Sequence, residues 1–283
     1  LSREFHAKVP FWGYAGHPLL DGNLLYVLAG GKGSAVVALD KETGAPVWKA
    51  LDTQETGYSP PMLYEIGGKK QLVIWLSEAL YGLDPATGKT LWKQAYPDGT
   101  ELVRPAVNIA TVRQLENRLF ISTVYHGPMM VQIEGDKASI AWKGKSENPG
   151  KPDGAHCLMA SPVFKDGYGY GIGMIGDLHC FRASNNESLW ETFAPIAGRR
   201  ADCGTAFIVP RQDGHCVLFN DQGDLILADL SPKGYHEISR AHIIDPAATA
   251  RGRNIVWSHP AFAHGCVFAR NEKEMVCVSL VKS

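Results

Sequence analysis

One hairpin recurs along this chain with a tryptophan at a fixed distance, and that recurrence leaves few folds open. The run ALDKETGAPVW, from Ala38 through Asp40 and Gly44 to Trp48, has a near copy in GLDPATGKTLW, from Gly82 through Asp84 and Gly88 to Trp92. In both, Trp stands eight residues after Asp. The same offset joins Glu134 to Trp142 and Arg182 to Trp190, where the turn letters have changed and the Trp has stayed; Asp229 to Ile238 is a worn fifth copy.

A short extended signal keeps pace with the hairpin. It reads HPLL at His17, SPPM at Ser59, RPAV at Arg104, SPVF at Ser161, GTAF at Gly204 and HPAF at His259, at intervals of 42, 45, 57, 43 and 55 residues. Periods of this size belong to solenoids, propellers or arrays. Within an interval the order is an apolar strand, a Gly-containing turn, two further strands, a hairpin turn and a fourth strand. The third strand, Val36 to Asp40, alternates with period two rather than 3.6. No convincing amphipathic helix is visible, Ile244 to Arg251 being the one short stretch with some helical character. The expected fold is all-β: a β-propeller of four-stranded antiparallel blades, six repeats of which are visible.

The hairpin explains itself chemically. An Asp opening the turn accepts backbone N–H bonds, and Gly44 or Gly88 takes a positive φ that a β-carbon would penalise. A Trp on each outer strand fills the wedge between neighbouring sheets, burying roughly 150–250 Å². Ala38, Asp40, Gly44, Trp48, Gly82, Asp84, Gly88, Trp92, Trp142 and Trp190 are therefore expected to dock blade on blade. One domain over 1–283 is expected, with repeats at approximately 11–52, 53–97, 98–145, 146–195, 196–245 and 246–283. Residues 2–9 either supply the last blade's fourth strand and close a six-bladed ring, or the chain is part of a seven- or eight-bladed one.

Composition narrows the function. Lys and Arg number 28 against 29 Asp and Glu, and a net charge of -1 provides no field to attract nucleic acid or an anionic membrane. No apolar run approaches the roughly 18 residues needed to span a bilayer, so a soluble chain is expected. The sequence starts at Leu1 rather than Met, which points to a tag, processing or upstream sequence, and nothing at this end reads as a signal peptide. Six cysteines without CxxC spacing or a vicinal pair argue against zinc and redox motifs and are expected to be mostly buried thiols. Ten histidines show neither H-x₃-H nor HExxH spacing, so no metal site is expected. Gly30-Gly31-Lys32-Gly33-Ser34 lacks the phosphate-loop spacing and precedes a strand, which makes it a hairpin turn, and no GxSxG is present.

The A-x-D-x-x-T-G-x-x-x-W pattern at Ala38 to Trp48, with its copy at Gly82 to Trp92, resembles the tryptophan-docking repeat of pyrroloquinoline-quinone (PQQ)-type propellers. Two groups share it: quinoprotein dehydrogenases and the BamB-like scaffolds of outer-membrane protein assembly. The segment WGYAGHPLLDGNLLYVLAGGKGSAVVALD further resembles bacterial exported proteins with this repeat, which implies a periplasmic location; such relatives are longer at the N-terminus by about two repeats. The dehydrogenases hold their quinone against a vicinal disulfide, beside a Ca²⁺ ligated by Glu and Asn and next to an Asp base. None of that set is matched here. The resemblance thus carries the fold without the cofactor, and PQQ with Ca²⁺ is expected only if the chain is an alcohol- or sugar-oxidising enzyme.

In a propeller the fourth-to-first connections and the second-to-third loops share one face. The extra residues here, Ser146 to His156, Ile196 to Cys203 and Pro246 to Ser258, fall in those connections. Residues preceding each inner strand would ring a channel mouth there: Trp12, Tyr14, His17, Tyr58, Arg104, His156, Arg200, Trp257 and His259. Aromatic rings with Arg and His suit a planar or anionic small ligand or an acidic peptide; the same residues can instead plug a channel by bonding carbonyls. Arg199, Arg251 and Arg253 are expected at a solvated surface near Asp153, Asp202 and Asp224. The leading expectation is a non-enzymatic binding or scaffolding propeller holding a partner protein or ligand; the alternative is a quinone-binding oxidoreductase.

Overall fold

The computed structural model describes residues 1–99 and 101–281. Among them no helix forms, so none is long and apolar enough to cross a membrane. The chain divides into two compact units, Leu1–Lys143 and Gly144–Ser283.

The first unit holds three antiparallel sheets whose strands follow one another in sequence order. The first is β1 (Leu19–Asp21), β2 (Leu24–Leu28), β3 (Val36–Asp40) and β4 (Pro46–Ala50). The second is β5 (Met62–Ile66), β6 (Lys69–Leu76), β7 (Ala79–Leu83) and β8 (Thr90–Ala95); the third is β9 (Arg113–Leu115), β10 (Arg118–Thr123), β11 (Gly127–Glu134) and β12 (Lys137–Lys143). Inner strands such as β7 are buried at every position, while β12 alternates between exposed and half-buried residues. A strand flanked on both faces reads as an unbroken apolar run, and one at the rim alternates. The sheets meet face to face. Tyr26, Val36 and Ala38 of the first pack with Leu72, Ile74 and Leu83 of the second, whose other face joins Leu119, Ile121 and Val131 of the third.

The second unit repeats the arrangement. Its sheets are β13 (Val163–Lys165), β14 (Tyr168–Ile172), β15 (Leu178–Arg182) and β16 (Ser188–Thr192), then β17 (Ala206–Pro210), β18 (Cys216–Asn220), β19 (Asp224–Ser231) and β20 (Gly234–His242). A hairpin, β21 (Ala248–Ala250) and β22 (Arg253–Ile255), precedes a three-stranded sheet of β23 (Ala261–Ala263), β24 (Cys266–Arg270) and β25 (Met275–Ser279). Up-and-down four-stranded sheets stacked face on face make this a β-propeller.

Two of the tryptophans reach from one sheet to the next. Trp48 is 9 % exposed, lies in the core between the first and second sheets, and donates its indole N–H to the Pro85 carbonyl at 3.0 Å. Pro85 sits in the turn of the next sheet, and Tyr26 donates to the same oxygen at 3.1 Å. Trp190 does likewise, giving its N–H to the Ser231 carbonyl at 2.9 Å in the β19–β20 turn. Trp92 instead bonds Gln71 Oε1 at 2.6 Å within its own sheet. Trp142 is half-buried, its ring 6.0 Å from Phe120.

Small residues make room for the indoles. A β-carbon on Gly82 would lie 2.2 Å from Trp92, and one on Gly88, at φ +72°, would lie 2.5 Å from Trp48. Ala38 is fully buried opposite Trp48 in the ladder. Asp40 Oδ1 accepts from the backbone N–H of Glu42 and Thr43 and from the Thr43 hydroxyl, and Gly44 N–H closes the turn on the Asp40 carbonyl. Asp84 does the same for Ala86, Thr87 and Gly88.

Three sequence expectations are corrected. RPAV at Arg104 does not begin the third inner strand; β9 starts at Arg113, and residues 104–112 form an irregular segment. The Asn108 carbonyl there accepts Tyr58 and Ser59 N–H while its Nδ2 donates to the Trp75 carbonyl, so Asn108 stitches the segment to the second sheet and the chain leading into it. Residues 2–9 form no strand: Phe5 packs on Ala29 and Val37. Finally, 248–255 is a hairpin turning at Arg251-Gly252, both at positive φ, which a helix would not tolerate.

Candidate functional site

On each four-stranded sheet the connection into the first strand and the loop between the second and third lie at one end. In the first unit this end carries the residues between Val9 and His17. Phe11 is 74 % exposed and Trp12 52 %, their rings edge to face at 5.0 Å. Trp12 is held from behind: its backbone N–H donates to Tyr58 Oη at 3.1 Å and its ring meets the Tyr58 ring edge-on at 5.5 Å. Tyr58 is buried, and burial raises its phenol above the ordinary value. Tyr14 and His17 stand exposed on the same stretch.

Beside Phe11 opens a cavity of about 1020 Å³. Its charges balance: Lys8, Lys32 and Arg104 face Asp52, Glu55 and Glu78. Arg104 is ion-paired to Glu55 at 3.1 Å, and Glu55 also accepts from Ala106 N–H at 3.0 Å. Burial pushes Glu78 up, but bonds from Thr53, Gln54 N–H and Ser77 outweigh it and hold the carboxyl below its usual value. Asp52 caps the Gly30–Ser34 turn by accepting from Gly33 N–H. Glu55 and Glu78 escaped the sequence reading because their partners are fixed by tertiary contact, not by spacing. Balanced charge removes the electrostatic argument for an anionic ligand.

The second unit places its predicted residues differently. His156 is fully buried, its Nε2 3.1 Å from Asp153 Oδ1, while Asp153 Oδ2 accepts from Lys145 and Ser146 N–H. Burial raises the Asp153 carboxyl, and these bonds overcome it and lower it. His156 thus fastens the 145–156 connection and does not face the surface. Arg200 is exposed and reaches the Gly150 carbonyl and Asp202, each at 3.4 Å. Trp257 is half-buried; His259 is exposed, its ring 4.5 Å from Phe207. Arg199 and Arg251 are exposed, as expected for a solvated surface. Arg253 is not solvated in the expected way: it pairs at 2.8 Å with Asp221, which is wholly buried.

Among the described residues no disulfide joins any cysteines, and each cavity carboxylate of the first unit is already engaged by N–H or O–H groups.

Sheet order, Trp-bearing outer strands and elaborated connections together define a propeller of the PQQ-like repeat class. The chain belongs to the family described as outer membrane protein assembly factor BamB, whose model matches residues 4–192. Among solved structures, BamB from Moraxella catarrhalis is similar at 15% identity and a TM-score of 0.64, covering 92% of this chain and 70% of that one. The computationally designed Ika8 protein matches at 12% identity and 0.59, over 93% and 70%. Quinohemoprotein alcohol dehydrogenase from Comamonas testosteroni matches at 15% and 0.57, over 91% of this chain and 51% of that one. Such identities show the fold alone. A search of the curated proteins finds no significant match.

Proposed function

We propose that the protein is an exported, non-enzymatic binding propeller that holds an extended segment of a partner protein against the Phe11–Trp12 stretch of its first unit. One observation carries the reading: two large aromatic side chains stand in solvent, anchored from beneath by Tyr58, at the edge of a cavity with balanced charge. Exposed aromatics of this kind serve as contact anchors because they bury much area while losing little side-chain entropy. Membership of a family described by outer-membrane protein assembly supports a protein partner.

The test is site-specific photo-crosslinking in cells, with the reactive group at Phe11 and, as control, at Thr43 on the opposite end of the first sheet. A discrete adduct from position 11 that is lost with Trp12→Ala supports the reading. Equal adducts from both positions overturn it. So does stoichiometric retention of pyrroloquinoline quinone after incubation with Ca²⁺, with alcohol-dependent dye reduction.

A further inference from the structure

In the second unit, Asp177, His179 and Glu191 bring three metal-ligating side chains together, with ligand atoms all within 4.8 Å of one another. The register explains why. Asp177 directly precedes β15 and His179 is its second residue, so the two, at alternate positions, share a face, and Glu191 of β16 stands directly opposite His179. His179 Nε2 contacts Asp177 Oδ2 and lies 3.8 Å from Glu191 Oε2, so one ring nitrogen faces both carboxylates.

The cluster is more than a surface ionic pair. Asp177 is wholly buried and His179 is 2 % exposed, yet Asp177 Oδ1 and His179 Nδ1 have no hydrogen-bond partner. A buried carboxylate oxygen left unpaired is costly and uncommon. Across the ladder, residue 173 is a glycine, and a β-carbon there would lie 2.6 Å from Asp177 Oδ1. The backbone thus leaves space at the oxygen that lacks a partner. Glu191 is exposed, and its rotation can bring the third ligand in.

We infer that Asp177, His179 and Glu191 form a binding site for one divalent transition-metal ion of the zinc class. One imidazole and two carboxylates suit Zn²⁺, which accepts three protein ligands and keeps a fourth position for water. The three side chains lie where β15 begins and β16 ends, the end of the sheet that carries the long connections. A ligating imidazole usually donates its second nitrogen to a carbonyl or carboxylate, and His179 Nδ1 has none. The site is therefore expected to bind about 10–100-fold more weakly than one so supported. This inference is independent of the partner surface proposed for the first unit.

The test is calorimetric titration of the metal-stripped full chain with Zn²⁺, repeated with Co²⁺ so that the intensity of the visible bands reports the coordination number. One equivalent is expected, with a rise in Tm. His179→Ala and Asp177→Asn should each weaken it at least about tenfold, the smallest loss seen when even an outer-shell partner is removed. His236→Ala, at an exposed histidine elsewhere in the unit, should leave it unchanged. Should either buried-site variant fail to fold by circular dichroism, Glu191→Gln at the exposed ligand should weaken binding in a folded protein. Absence of binding in the native chain, or binding that survives Glu191→Gln and His179→Ala undiminished, would overturn the inference.

Discussion

At the scale of single residues, the tryptophans divide into two kinds of evidence. Trp48→Ala removes a buried ring between two sheets and should cost about 3–5 kcal/mol, as large-to-small core changes do. Trp48→Phe keeps most of the apolar contact and loses the bond to the Pro85 carbonyl, so about 1 kcal/mol is expected. Urea unfolding of both variants separates the packing contribution from the polar one. Equal losses would mean that the bond, not the wedge, holds the sheets. Arg104→Ala should behave oppositely. Its guanidinium is partly exposed, where ion pairs are worth about 0–1 kcal/mol, and the largely buried Glu55 keeps its bond from Ala106 N–H when Arg104 is removed. Thermal stability should be nearly unchanged while the crosslink from position 11 weakens, and a large fall in Tm would make Arg104 a structural residue only.

At the scale of elements, the connections are held by carboxylates. Glu78, Asp153 and Asp224 have carboxyls lowered in the folded chain despite burial, through bonds from Thr53, from Lys145 N–H and from His242 with Arg240 respectively. A lowered folded value means that the stabilisation is complete above the unfolded range near about 4 and is lost as pH falls through the depressed values. Hydrogen exchange in 145–156 should therefore quicken on acidification before the inner strands open, and Asp153→Asn should bring that quickening to neutral pH. The turns Asp40–Gly44 and Asp84–Gly88 were legible in sequence because the whole apparatus lies within five residues. The third inner strand was not, since a tetrapeptide such as RPAV carries too little information to separate a strand from a stitched loop. Nor was the Asp177–His179–Glu191 set, whose only linear trace is D-x-H at alternate positions; the third member is fixed by strand register.

At the scale of the whole molecule, each of the two units has a core of its own. The residues that join them, from Gly144 onward, are irregular and carry the exposed Lys145. Limited trypsin digestion of the native chain should cut at the exposed Lys145 before the half-buried Arg118 of β10 or Arg182 of β15; a first cut at either strand residue would contradict the placing of Lys145 in the more accessible, irregular segment. The fold class was legible because repetition multiplies a weak signal; of the residues placed at the mouth, Trp12, Tyr14, His17, Arg104, Arg200 and His259 are exposed and His156 is not, because each connection makes its own contacts. His156 went inward and Phe11, passed over in sequence, went outward. The indole bonds of Trp48 and Trp190 have a last consequence. Their acceptors are main-chain oxygens, supplied by Pro85 in one turn and Ser231 in another. A clasp that grips peptide carbonyl imposes no side-chain identity on the gripped position, so the residues at 85 and 231 are at liberty to diverge while the clasping ring stays, whereas Gly88 under the Trp48 ring is not.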